Sequence, residues 1–331
     1  MKAVLCKELG PPDSLQLREI DIDPPAADEV QIRIDACGIN FPDLLMIEGK
    51  YQERPPLPFI PCGEVAGTVC ATGGSVSSFN IGDPVMAVTY RGGLAERINV
   101  RADSVIRRPA SMPATVAAGF PGVYATSYHA LKQRAALQPG ETLLVLGAAG
   151  GVGLAAVQLG LGMGARVIAA VGSEDKAAAL REMGVHDVIN YQTADLKEQI
   201  KTLTDGRGVD VVYDPVGGDL FDTAVRCIAW NGRLLVVGFA TGRIPELPVN
   251  LALLKGLAVV GVFYGRFEKE QPALAEQNMA ELLQLYVDGR IAPVVHQVFP
   301  LQDYATALNA LTTRKVVGKV VVETGTLDAH D

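Results

Sequence analysis

The run Leu143-Leu-Val-Leu-Gly-Ala-Ala-Gly-Gly-Val-Gly-Leu154 carries the most specific chemistry in the chain. An apolar strand enters a glycine turn, and the apolar stretch Val152–Leu161 beyond it predicts a buried helix. At such a junction, glycines let the backbone bend tightly and let a pyrophosphate approach the helix N-terminus. Unpaired N–H groups and the helix dipole there favour negative charge. In register with the GxGxxG fingerprint, Gly150 and Gly153 fill the second and third glycine positions, and Ala148 stands at the first. A GxGxxG string alone is weak evidence. Here the strand before it, the helix after it and a second strand at Arg166–Val171 make it a dinucleotide site at Ala149, Gly150, Gly151, Val152 and Gly153.

The end of that second strand selects the dinucleotide. A carboxylate about 20 residues past the glycines would hydrogen-bond the ribose hydroxyls and mark NAD. This chain has Ser173 there, in Val171-Gly-Ser-Glu-Asp-Lys176. A small hydroxyl with Lys176 one turn later suits a 2′-phosphate, the ammonium supplying a point charge and Ser173 a hydrogen bond. Glu174 and Asp175 oppose that reading unless they serve the first turn of the following helix. The expected cofactor is NADPH.

Other chemistries find less support. The histidines at 129, 186, 296 and 330 are dispersed, and Cys6, Cys37, Cys62, Cys70 and Cys227 form no CxxC pair, so no metal site is expected. His129, in Tyr128-His-Ala-Leu131, reads as a hydrogen-bonded helix residue, and Cys37 and Cys62 as buried thiols. No Ser/His/Asp or Cys/His arrangement points to a hydrolase. With 29 basic and 37 acidic residues the net charge is −8, which disfavours nucleic acid as a partner. The apolar run Leu143–Ala165 is long enough for a membrane span, but its seven glycines divide it into a strand and a helix. The start, MKAVLCKELGPP, is too short in apolar residues for a secretory leader, so the cysteines are expected to be reduced thiols in the cytoplasm.

Two sets of elements must position these groups. The 331 residues, 49% hydrophobic and 20% charged, suffice for two packed cores. Residues 1–121 carry short strand-like runs (Val30–Ile34, Val65–Cys70, Pro84–Val88) between Gly and Pro turns, the texture of an irregular β domain. Residues 122–265 alternate strands (142–146, 166–171, 187–190, 209–213, 233–238, 257–262) with helices (152–162, 175–183, 195–204, 220–229), which predicts a doubly wound parallel sheet. Residues 266–331 add helices at 274–288 and 302–312 and a closing strand at 318–322.

The chain resembles the medium-chain dehydrogenase/reductase superfamily, and within it the zinc-less NADPH:quinone oxidoreductase family. The resemblance runs from Met1 to Val322 and is carried most specifically by Ala148-Ala-Gly-Gly-Val-Gly153. Gly38-Ile-Asn-Phe-Pro-Asp43, Gly49-Lys-Tyr51, Asp214-Pro-Val-Gly-Gly218 and Gly318-Lys-Val-Val-Val322 support it. The resemblance implies a GroES-like catalytic domain made from residues 1–121 and 266–331, a Rossmann domain at 122–265, and ligands in the cleft between them. Asn40 and Gly63 stand where zinc relatives carry a cysteine and a histidine ligand, and the structural zinc lobe is missing between residues 85 and 115. Relatives usually read Pro-Gly-Ser-Glu where this chain has Pro61-Cys-Gly-Glu64, which raises the question of what Cys62 does there.

By motif position, the resemblance assigns catalysis to Asn40, facing nicotinamide and substrate, and to Tyr51, reaching a carbonyl oxygen. Thr126 would sit near the nicotinamide or its phosphates, and the segment Gly238, Phe239, Ala240 and Thr241 would contact the carboxamide side, with Phe263, Tyr264 and Lys319 bordering it. Tyr191 would flank the 2′-phosphate. Leu257–Val262 would pair across a two-fold axis in a homodimer. The expected activity is reduction of quinones or α,β-unsaturated carbonyls by hydride transfer without metal. Enoyl-thioester reduction is one alternative, and an NADPH-binding sensor with little turnover is another.

Overall fold

The computed structural model describes residues 1–324; residues 325–331, with His330 and the end of the segment predicted at 266–331, lie outside the described residues. The chain forms two compact units, one of Met1–Gly122 with the stretch from Pro293 onward, the other of Val123–Ala292.

In the first unit β1 (Lys2–Leu5) pairs with β2 (Gln16–Glu19). A larger sheet is built on β3 (Glu29–Ile39), which is followed by helix α1 (Phe41–Ile47), β4 (Glu64–Thr72), β5 (Pro84–Val88), β6 (Arg97–Arg101) and β7 (Val105–Arg107). Short helix α2 (Ala114–Ala117) and the start of α3 (Pro121–His129) close this part of the unit.

The second unit holds β8 (Thr142–Leu146), α4 (Gly151–Gly162), β9 (Arg166–Val171), α5 (Glu174–Glu182), β10 (Asp187–Asn190), α6 (Leu196–Leu203), β11 (Val209–Asp214), α7 (Gly218–Ala224), β12 (Ile228–Val236), α8 (Asn250–Lys255), β13 (Ala258–Gly261), α9 (Tyr264–Glu270) and α10 (Pro272–Val287). Its strands are all parallel, in the order β10-β9-β8-β11-β12-β13. This is the doubly wound arrangement, with the topological switch between β8 and β11. Every residue of β8 is buried, as a strand covered on both faces requires.

The chain then returns to the first unit with β14 (Val295–Pro300), α11 (Tyr304–Thr312) and β15 (Lys319–Glu323). The seven-stranded sheet runs β14-β15-β3-β4-β5-β7, with β6 also on β3. The antiparallel register pairs Val320 with Ile39, which sets Lys319 beside the residue after β3, Asn40. On the other flank Glu64 opens β4 opposite Gly38. Three strand ends thus meet at one edge.

The predicted elements differ from these in a few places. The helix expected at 220–229 ends at Ala224, because β12 begins at Ile228 and bends at Asn231, whose φ is +60°. Helices α8 and α9 and strand β14 were not predicted. Each is short; α8 buries none of its residues fully, and β14 is defined by its pairing with the distant β15. The join expected at 265/266 falls at 292/293. Side chains on α9 and α10 explain this. Phe267 stacks on His129 at 3.8 Å between ring centroids, and Asn278 exchanges hydrogen bonds with Gln133 at 2.9 and 3.2 Å. Glu281 takes Tyr128 and Lys132.

Candidate active site

The carboxyl edge of the second unit's sheet gathers the predicted cofactor residues. After β8 the chain turns left-handed at Gly147 (φ +57°), and the Gly150 N–H donates to the Gly147 carbonyl at 2.9 Å. Gly153 is required sterically, since a Cβ there would lie 2.3 Å from the Gly147 oxygen. The Ala148 methyl is buried, and its N–H ties the turn to Ala170 of β9 at 3.1 Å, which is why alanine serves at the first fingerprint position. The Leu154 N–H to Gly150 bond, 2.7 Å, is the one from α4's fourth residue to its cap. Gly150, at the N-cap, offers no side chain to the N–H groups of the preceding turn, Gly151, Val152 and Gly153. Such a turn fits a diphosphate. Ser127, beside the predicted Thr126, supports it from below: its hydroxyl donates to the Val152 carbonyl and shares a hydrogen bond with Tyr213, each 2.9 Å. Thr126 itself is half-buried on the neighbouring position.

At the ends of β9 and β10 the structure brings Ser173 and Tyr191 together. Ser173 caps α5, its oxygen accepting the Lys176 N–H at 3.4 Å, so its own O–H is free to point elsewhere. The Tyr191 hydroxyl lies over Gly172, where a Cβ would come within 2.8 Å of it. Lys176 follows one turn into α5 and is half-buried. Glu174, which weighed against a phosphate, is engaged by Arg181 at 2.5 Å; that guanidinium holds its carboxyl below the usual range.

The ends of β11 and β12 complete this edge. Buried Asp214 accepts the N–H groups of Val216 and Gly217, both at 2.8 Å, and fixes a turn with positive φ at Gly217 and Gly218. Burial raises its pKa, and the two N–H bonds oppose that rise. The segment Gly238–Thr241 lies on this turn: Ala240 N–H donates to Pro215, and the Thr241 hydroxyl to Val216 at 3.0 Å. A Cβ on Gly147 would meet Val216 at 2.9 Å, so the turns after β8 and β11 touch. Phe263, immediately before α9, is exposed, whereas Tyr264 packs with His129 and Phe267, 6.4 and 5.9 Å between centroids.

In the first unit, the buried Glu64 and Lys319 form a polar knot with the half-buried Asn40. Lys319 is 6% and Glu64 2% exposed. The Lys319 ammonium donates to Ile39 O at 3.0 Å, Asn40 Oδ1 at 2.6 Å and Glu64 Oε2 at 3.0 Å. Its three donors are thereby engaged, and Lys319, expected to border a cofactor, holds Asn40 and Glu64 together. The Asn40 amide donates to Glu64 Oε2 at 2.9 Å, and Glu64 Oε1 accepts the Gly122 N–H at 2.7 Å. Asn40 caps α1, and its own N–H donates to Asp43 Oδ2 at 2.7 Å. Burial pushes the Asp43 carboxyl up to about 7; the Asn40 N–H and Lys319 pull it down, and Glu64 pushes it up.

Tyr51 is half-buried in the loop after α1 against this unit's core. Burial, then the charges of Glu53 and Asp43, raise its phenol pKa, which keeps it protonated as a hydrogen-bond donor. Asp43 and Glu64 were not singled out from sequence as functional; the one available signal was an acid opening an apolar strand, Glu64-Val-Ala-Gly67. Among the described residues no group of three or more His, Cys, Asp and Glu side chains could hold a metal ion, and no helix is long and apolar enough to cross a membrane.

Comparison with known proteins covers both units. Residues 26–138 match the alcohol dehydrogenase GroES-like domain, and residues 151–281 match the family described as zinc-binding dehydrogenase. Quinone oxidoreductase-like protein 2 homolog of Nematostella vectensis is 38% identical over 326 residues, 98% of this chain and 89% of that protein. Among solved structures, Escherichia coli quinone oxidoreductase complexed with NADPH superposes with a TM-score of 0.91 at 29% identity, covering 98% of this chain and 100% of that one. CurK enoyl reductase gives 0.88 at 29% identity, covering 98% and 99%.

Proposed function

Because the chain belongs to the quinone oxidoreductase family of the medium-chain dehydrogenases and reductases, we propose that it is an NADPH-dependent reductase of quinones or α,β-unsaturated carbonyls that works without zinc. The observation that carries the reading is the uncapped glycine turn at the β8–β11 switch point, with Ser173, Lys176 and Tyr191 at the neighbouring strand ends in place of a ribose-binding carboxylate. NADPH, when bound, supplies the hydride. This chain's part is to hold the diphosphate at Ala149–Gly153, grip the 2′-phosphate with Ser173, Lys176 and Tyr191, and border the nicotinamide with Thr126, Gly238–Thr241 and Phe263.

Substrate-side work falls to Asn40 and Tyr51. Asn40 is held from both ends of its amide, and such fixed dipoles stabilise developing negative charge without reorganising. Quinones and enones suit this economy, because their reduced forms delocalise charge. Asn40 and Gly63 at the two ligand positions of zinc relatives support the metal-free reading.

The similarity to CurK enoyl reductase favours enoyl-thioester reduction as a second reading. Mixing the protein with NADPH and 1,4-benzoquinone, 9,10-phenanthrenequinone or crotonyl thioester, and following NADPH absorbance, separates the two. Tight NADPH binding with no oxidation by any acceptor would leave a sensor. A homodimer is part of the proposal. The edge strand β13 is largely exposed, and α8 beside it exposes Leu253 (80%) and Leu254 (67%). Sedimentation is expected to give a dimer that Val259→Lys converts to monomer.

A further inference from the structure

We propose that Glu64 and Lys319 are positioning residues that fix which end of the Asn40 amide is offered to an acceptor; this rests on the substrate-side role given to Asn40 above. An ammonium donates and cannot accept, and a carboxylate accepts and cannot donate. Lys319 Nζ therefore takes only the amide oxygen, at 2.6 Å, and Glu64 Oε2 only the amide nitrogen, at 2.9 Å. Turning the amide over would set its NH2 group against the ammonium and its oxygen against the carboxylate. Both contacts would be repulsive, and neither buried partner has water to turn to. A hydroxyl in either place would accept both orientations; this ion pair permits one.

The pair is itself held. Lys319 Nζ donates its other hydrogens to Glu64 Oε2 and Ile39 O, both at 3.0 Å, and Glu64 Oε1 accepts the Gly122 N–H at 2.7 Å. Two glycines leave room for it: a Cβ on Gly119 would lie 3.1 Å from Lys319 Cγ, and one on Gly122 would lie 3.1 Å from Glu64 Oε1. Every Lys319 hydrogen is engaged. The second hydrogen on Asn40 Nδ2 is then the one polar hydrogen of these three side chains that meets no acceptor among the described residues. Asn40 is also the only one of the three that is not buried. The group left for a ligand is thus a neutral N–H donor, oriented by a pair that adds no net charge. It suits a carbonyl or quinone oxygen on which negative charge develops, and it disfavours a ligand that presents a donor there.

Glu64→Gln tests the orientation in the full chain. The new amide is expected to keep its oxygen on the Gly122 N–H, which turns its NH2 group towards Asn40 and removes the acceptor of the Asn40 nitrogen. With 1,4-benzoquinone, kcat is expected to fall about a hundredfold while KM for NADPH stays within about twofold. Nitrogen-15 NMR of the Asn40 side-chain amide, identified by its loss in Asn40→Asp, reads the orientation without turnover. In the parent, the proton bonded to the carboxylate is expected well downfield of the other, and in Glu64→Gln this separation narrows. Should the single variant fail to fold, Glu64→Gln with Lys319→Met leaves no buried charge and is expected to show the same narrowing and the same loss of kcat. A parent amide whose two protons lie no further apart than in free asparagine overturns the proposal. So does an unchanged amide signal in the variants, or a changed signal beside a parental kcat. A changed signal in a protein whose parent reduces no acceptor keeps the orienting pair and removes the reductase reading instead.

Discussion

The glycine turn of the second unit and the polar knot of the first are built on opposite principles. The turn between β8 and α4 offers backbone: Gly150 caps the helix without a side chain, and Gly153 lets it close against Gly147. The knot offers side chains: a buried lysine and glutamate and a half-buried asparagine, satisfied by one another. A backbone site tolerates many side chains nearby but no Cβ at its tightest point. A buried ionic site tolerates the loss of none of its members, because a partner left behind keeps its charge without compensation.

Lys319→Met tests that difference most severely. It leaves Glu64 buried with no cation and is expected to cost about 3–5 kcal/mol in denaturant unfolding. Adding Glu64→Gln is expected to recover part of the loss; no recovery would mean that the lysine stabilises by packing alone. Asp43 gives the next largest effect. Its pKa, about 7 folded against 3.8 ordinarily, means that the native state binds the extra proton between those values. Its stability contribution is therefore full below about pH 4, declines as pH rises towards 7 and is flat above, each tenfold difference in proton affinity being worth about 1.4 kcal/mol. Asp43→Asn is expected to abolish that part of the slope in unfolding measured from pH 4 to 8.

On the backbone side, Gly153→Val forces a side chain onto the Gly147 carbonyl, 2.3 Å from where its Cβ would sit. The expected costs are about 1–3 kcal/mol in stability and most of the NADPH affinity, read by fluorescence titration. Lys176→Ala is the mildest change: a loss of about tenfold in NADPH affinity with NADH little altered. Equal losses for both dinucleotides would remove the 2′-phosphate from Lys176.

The two sites were also unequally legible. Strands 142–146, 166–171 and 187–190 coincide with β8, β9 and β10, and the glycine motif lies at the predicted junction, because strand, turn and helix are contiguous. Asn40 and Lys319 were recognised as residues of interest, but not as partners. Asp43 and Glu64 passed as motif and strand residues. The aromatic cluster of His129, Tyr264 and Phe267 was equally hidden, and with it the place of α9 in the second unit.

Local order, then, is what the amino-acid sequence decided unaided: period, glycine placement and apolar runs set the parallel sheet, its glycine turn and the serine–lysine pair after β9. Tertiary structure alone decided which distant side chains share a desolvated space. Registers of β15 and β4 on β3 bring residues 319 and 64 beside residue 40. Burial then makes a carboxylate, an amide and an ammonium depend on one another for their hydrogen bonds, an effect of neighbours and dielectric rather than of position along the chain.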